Sequence, residues 1–112
     1  MSDQSSHRVE RINELILREM VILLKQKTKD PRLQKVIITD IISSRDLSSA
    51  KVFFTVEESE KSIVEPLLEK ASGFFRSSLS KKLKLRHTPA LRFIFDPAPN
   101  TGARIEDLLS KI

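Results

Sequence analysis

The sequence predicts a single α+β domain in which helices cover one face of a three-stranded sheet. Three observations carry this. Val9, Ile12, Ile16, Met20, Leu23 and Leu24 recur at the three-and-four spacing of one buried helical stripe. Two-residue alternation then appears in three separate segments, around residues 36–43, 50–57 and 91–96. Between the second and third of these, Glu58 to Leu85 has no alternation and reads as helix with one interruption. A chain of 112 residues is long enough for one domain with a real hydrophobic core.

In order along the chain, residues 1–7 are polar and read as a flexible tail ahead of a single domain over 8–112. The first helix starts at Arg8, and the Asp30-Pro31 step ends that helical region because the residue before proline disfavours helix. Val36 to Ser43 is rich in β-branched residues. Its two alternating sets are both apolar, which predicts a central strand. Ala50, Val52, Phe54 and Val56 form one face of the second strand, with Lys51, Phe53, Thr55 and Glu57 opposite. The short polar link, Ser44 to Ser49, makes the pair an antiparallel hairpin.

The next helix has two possible starts: a capping box of Ser62 with Glu65, which leaves Pro66 near its first turn, or an earlier start at Ser59, which puts the proline inside the helix. Ala71-Ser72-Gly73 is the expected kink, and Phe75, Leu79 and Leu83 continue a buried stripe beyond it. Thr88-Pro89 stops the helix. Leu91, Phe93 and Phe95 form the inner face of a third strand, and a short last helix is expected near Ala103 to Lys111. Five phenylalanines read as core: Phe54, Phe74, Phe75, Phe93 and Phe95. Phe53 is either packed under a loop or open for stacking on a base.

Composition excludes several function classes. There is no cysteine, so disulfides, thiol catalysis and thiolate metal sites are ruled out, which fits a reducing, cytoplasmic setting. The longest apolar run is Met20 to Leu24, far short of the ~20 residues of a membrane span. The only glycines are Gly73 and Gly102, too few for a phosphate-cradling loop. His7 and Glu10 form a poor metal pair, and Asp30, Asp46 and Asp96 are explained by turn and cap hydrogen bonds. No nucleophile, base and orienting group assemble. The expectation is a binding protein without cofactor, metal or small-molecule substrate.

The formal charge is +5, and it is unevenly distributed. Lys70, Arg76, Lys81, Lys82, Lys84, Arg86 and Arg92 fall in one window that contains no acid. Outside it, basic and acidic residues nearly balance. Such a window is an electrostatic footprint for phosphates. Arg45 and Lys51 are further candidate contacts, and His87 lies inside the window. Just before it, Glu57, Glu58, Glu60, Glu65 and Glu69 form an acidic stretch. That stretch, or the sheet face bearing Phe53 and Ile94, would serve the alternative reading: a protein-interaction adaptor within another RNA-containing complex.

A set of spaced segments adds a resemblance. Asp30-Pro31-Arg32-Leu33 follows the first helix. Asp46-Leu47 precedes Ala50-Lys51-Val52. Then come Lys70-Ala71-Ser72-Gly73-Phe74 with Arg76, Leu85-Arg86-His87-Thr88-Pro89 before Leu91-Arg92-Phe93, and finally Asp96 with Ile105, Leu108 and Leu109. In order and spacing these resemble the ribosome-binding factor A family over nearly the whole chain. The resemblance implies a type II KH-like domain, α-β-β-α-α-β, with an Ala-x-Gly helix kink in place of a glycine-rich loop. It also implies a bacterial, non-enzymatic assembly factor, expected to act as a monomer. Such a factor binds the free small ribosomal subunit and assists late maturation and processing of its 16S rRNA.

Overall fold

The structure is a computed structural model that describes residues 2–97, with side chains from residue 7 onward. The expected C-terminal helix near residues 103–111 lies outside the described residues. α1 spans Ser2–Ile22. It begins six residues before the expected start at Arg8, because no proline or glycine interrupts the polar segment ahead of it. Ile12, Ile16 and Met20 on its inner stripe are buried. A π turn, Leu23–Lys27, continues α1 and buries both Leu23 and Leu24. The Thr28 hydroxyl closes this turn by donating to the Leu24 carbonyl at 2.7 Å.

Pro31 begins a helix where the sequence suggested an end. α2 is a single turn, Pro31–Gln34, with proline in the first position and Asp30 as N-cap. The Asp30 carboxylate accepts from the Arg32 backbone N–H at 2.9 Å and from the Arg32 guanidinium at 3.0 and 2.9 Å. This arrangement holds the Asp30 carboxyl below the usual carboxylate range.

β1 (Ile37–Ser43) and β2 (Ser49–Thr55) form the expected antiparallel hairpin. β3 (Ala90–Phe95) lies parallel to β2 on its other side, so the sheet order is β1-β2-β3. The central strand is therefore β2, and β1 is an edge, contrary to the expectation for Val36 to Ser43. Its two apolar sets have a different cause. The register shifts between Ile38 and Asp40, so buried Ile38 and Ile41 are three residues apart instead of two. Ile37 and Ile42 are left exposed. The Thr39 hydroxyl, in the bulge, donates to the buried Asp96 carboxylate at 2.9 Å and links β1 to the end of β3.

A parallel pair needs a crossover, and the helical region supplies it. A 3₁₀ turn, Glu58–Glu60, leads into α3 (Lys61–Lys70), followed by α4 (Ser72–Leu83). The expected capping box does not form. Glu60 is the N-cap without a side-chain bond, Glu65 pairs with Lys61 at 3.7 Å, and Pro66 sits inside the helix. The kink falls at Ala71, which separates the two helices. α4 ends at Leu83, earlier than Thr88-Pro89, because Lys84 adopts a left-handed conformation (φ 52°) and its N–H bonds the Ser80 carbonyl.

The core lies between the helices and one sheet face. Ala50, Val52 and Phe54 from β2 meet Val64, Leu68, Phe75 and Leu79 from the crossover and the α1 stripe. Phe54 packs edge-on against Phe95, and Phe75 against Phe93. Phe74, expected in the core, is 46% exposed because it is one helical step from buried Phe75. No helix among the described residues is long and apolar enough to cross a membrane.

Candidate nucleic-acid interface

Three elements bring the cationic side chains together at the hairpin end of the sheet. α4 contributes Arg76 and Lys81. The loop from α4 to β3 contributes Arg86 and His87. The β1–β2 loop contributes Arg45. A groove of about 540 Å³ runs between α4 and the α4–β3 loop, lined by Gly73, Arg76, Ser77, Lys81, Arg86 and His87 among others. On the far side of Arg86 and His87 lies a second cleft of about 300 Å³, bounded also by Arg8, Arg45 and Leu47. Arg86 and His87 thus form a shared wall between two basic depressions.

Each loop is held in shape. The Arg76 Nε and Nη2 donate to the Thr88 carbonyl at 3.0 and 2.9 Å, fastening the α4–β3 loop to α4. In the hairpin loop Asp46 Oδ1 accepts from the Ser48 N–H at 3.0 Å and from the Ser44 and Ser48 hydroxyls, both at 2.8 Å. These bonds, led by the Ser48 hydroxyl, lower the Asp46 pKa to about 2. Leu47 follows with φ 58°, a left-handed conformation uncommon for a branched apolar residue. α1 anchors the other side, where its Asn13 side-chain oxygen accepts from the Ser43 N–H and hydroxyl.

The remaining predicted contacts are spread over other surfaces. Lys82 is on the opposite flank of α4, beside Lys27, Ile22 and Phe74, while Lys81 borders both flanks. Lys84 is exposed at the α4 C-cap, and Lys70 is exposed at the end of α3. Arg92 and Lys51 are neighbours in the β2–β3 register and lie on the sheet face away from the helices. They form a separate cationic pair beside Phe53 and Ile94. Ala71 is the kink itself, Ser72 opens α4, and Gly73 lines the groove.

Among the described residues none of these nine cations forms an ion pair. The pairs present are His7–Glu10, Arg32–Asp30, Lys35–Glu60 and Lys61–Glu65. The acidic stretch at Glu57 to Glu69 is therefore partly neutralised by Lys35 and Lys61, and the basic window is not. Arg8 was outside the predicted set. Its signal in the sequence is faint, since it reads as one cation on the outer side of an amphipathic helix. Only the packing of α1 along the sheet brings it near Arg45 and Arg86.

A helix-covered sheet of order α-β-β-α-α-β, with a broken crossover helix beside a cationic groove, defines a KH-like α+β domain with a surface suited to a polyanion. Sequence comparison makes the assignment specific. The family model for ribosome-binding factor A matches residues 8–109, and the chain belongs to that family. It is 69% identical to ribosome-binding factor A of Ruthia magnifica over 112 residues, which is all of both chains. The crystal structure of ribosome-binding factor A from Thermus thermophilus superposes with a TM-score of 0.72 at 21% identity, covering 80% of this chain and 97% of that one. A homology model of the Thermus thermophilus ribosome-binding factor A, fitted into the cryo-EM map of its 30S complex, superposes with a TM-score of 0.60 at 23% identity. It covers 72% of this chain and 87% of the other.

Proposed function

We propose that this protein binds the free small (30S) ribosomal subunit in the cytoplasm and assists late maturation and processing of its 16S rRNA, without catalysing a reaction itself. The observation that carries this reading is the convergence of Arg45, Lys81 and Arg86 from three elements, with Arg76 fastening the loop between them, and no carboxylate paired to any of them among the described residues. Unneutralised cations on a shaped surface are suited to a polyanion with folded geometry. Family membership and the Thermus thermophilus factor's fit in a 30S complex support the same partner.

Binding of this kind acts by favouring one RNA conformation over another. The test is co-sedimentation with purified small subunits, large subunits and whole ribosomes. The wild-type protein is expected with small subunits alone. The triple variant Lys81→Glu, Lys82→Glu, Lys84→Glu should remain folded and fail to co-sediment. Affinity should fall steeply with salt. Unchanged co-sedimentation of the triple variant removes these lysines from the interface, and cells lacking the protein but free of precursor 16S rRNA would remove the maturation role.

A further inference from the structure

The second cleft has a chemical character of its own. Its walls carry Arg8 from α1, Arg45 from the hairpin loop, and Arg86 with His87 from the α4–β3 loop. Its lining also includes four aliphatic side chains, Val9, Ile12, Leu47 and Leu85. A phosphate backbone alone needs cations and gains nothing from an apolar floor. A purely apolar ligand has no use for three guanidinium groups. One unpaired nucleotide uses both, since its base can lie on aliphatic carbon while its flanking phosphates meet arginine forks. The volume of about 300 Å³ is at the small end of ligand sites, suited to one nucleotide and not to a duplex.

Two further observations point the same way. Leu47 carries a branched apolar side chain at a left-handed position (φ 58°) where glycine or asparagine would fit the turn with less strain. That side chain packs against the core edge and reaches the cleft lining. Asp46, also on the lining, uses Oδ1 for the Ser44 and Ser48 bonds. Its Oδ2 takes none of these donors and is available to accept from an exocyclic amino group, as on adenine or cytosine.

We infer that the cleft between α1, the β1–β2 loop and the α4–β3 loop captures a single unpaired nucleotide of an RNA strand. Its base would rest on Val9, Leu47 and Leu85, with buried Ile12 beneath them, and its adjacent phosphates would contact Arg8, Arg45 and Arg86. The inference rests on the RNA-binding reading above and deepens it, because it adds a site for a splayed-out base to a surface otherwise suited to backbone contacts.

The test uses the full chain with methyl-labelled Ile, Leu and Val, titrated with pentaadenylate, with an abasic pentamer of equal phosphate count, and with adenosine monophosphate. Pentaadenylate is expected to shift the methyl resonances of Val9, Ile12, Leu47 and Leu85 and to bind about tenfold tighter than the abasic strand. Leu47→Gly, which suits the turn backbone, should bring pentaadenylate affinity down to the abasic level. Ile63→Ala, an exposed truncation on α3, should leave the tenfold difference in place. Unmoved methyl resonances, equal binding of the abasic strand, or equal binding of the mononucleotide would each overturn the inference. Any of these with intact small-subunit co-sedimentation removes the nucleotide site alone, whereas loss of wild-type co-sedimentation removes the wider reading.

Discussion

Arg76 and Thr88 are joined by a fork, with guanidinium Nε and Nη2 both donating to one backbone carbonyl at 3.0 and 2.9 Å. A residue expected to meet phosphate is thereby turned toward its own chain, where it holds the loop that presents Arg86 and His87. Arg76→Lys keeps the charge and loses the fork. It should lower stability by about 1 kcal/mol in denaturant unfolding. Amide hydrogen exchange should speed up in the α4–β3 loop. Wild-type stability and exchange in this variant would show that the fork does not hold the loop.

Phe74 and Phe75 are adjacent in sequence and opposite in burial, with relative exposures of 46% and 0%. Phe75→Ala removes a ring packed against Phe93 and should cost about 3–5 kcal/mol. Phe74→Ala should cost under about 1 kcal/mol. Chemical denaturation of the two variants side by side measures the contrast.

Gly73 lies within the first turn of α4, and a Cβ placed there meets nothing within 4 Å. Gly73→Ala should therefore stabilise the protein by about 0.5–1 kcal/mol, through helix propensity and a less flexible unfolded chain. A rise in Tm tests this. A fall would mean that the kink at Ala71 depends on the glycine. The same methyl would project into the groove beside Arg76 and Ser77, so small-subunit affinity measured on this variant reports how closely a ligand approaches α4.

Asp46 has its pKa lowered to about 2 by the Ser44 and Ser48 bonds. A depressed folded-state value means that the ionised carboxylate stabilises the fold above the unfolded pKa, and that this contribution is lost as pH falls through the folded one. Asp46→Ala should thus be less stable than wild type at neutral pH, and the two should converge between about pH 4 and pH 2. Urea unfolding at pH 7, 4 and 2.5 measures the difference. A gap that stays constant across that range would show that the ionised carboxylate is not its source.

Much of the architecture was legible because its signals are local. The first helical stripe from Ile12 to Leu24, the β2 alternation at Ala50, Val52 and Phe54, and the Phe75–Leu79 stripe depend only on backbone period and are buried as expected, with Val9 at the stripe's start only half-buried. Helix ends were harder to place. Asp30-Pro31 reads equally as a stop or as an N-cap with proline in the first turn, and the choice depends on whether Leu33 has a core to enter. The bulge at Thr39 has no local signature, so β1 looked fit for the centre of a sheet until its register with β2 was known.

Two properties of this chain can be read without any coordinates: its α+β fold class, and a run of cations without acids that follows the acidic stretch. Periodicity and charge order belong to neighbouring residues, and they survive in the linear text. Which cations share a surface is a matter of packing alone. Arg8, Arg45 and Arg86 come from three separate parts of the chain and meet because α1, the hairpin loop and the α4–β3 loop come together at the hairpin end of the sheet. Arg92 lies within the same sequence window as Arg86, yet its strand turns it onto the opposite face beside Lys51. Proximity in the chain sets the charge density of a segment; the packing of helices on a twisted sheet sets where each charge points.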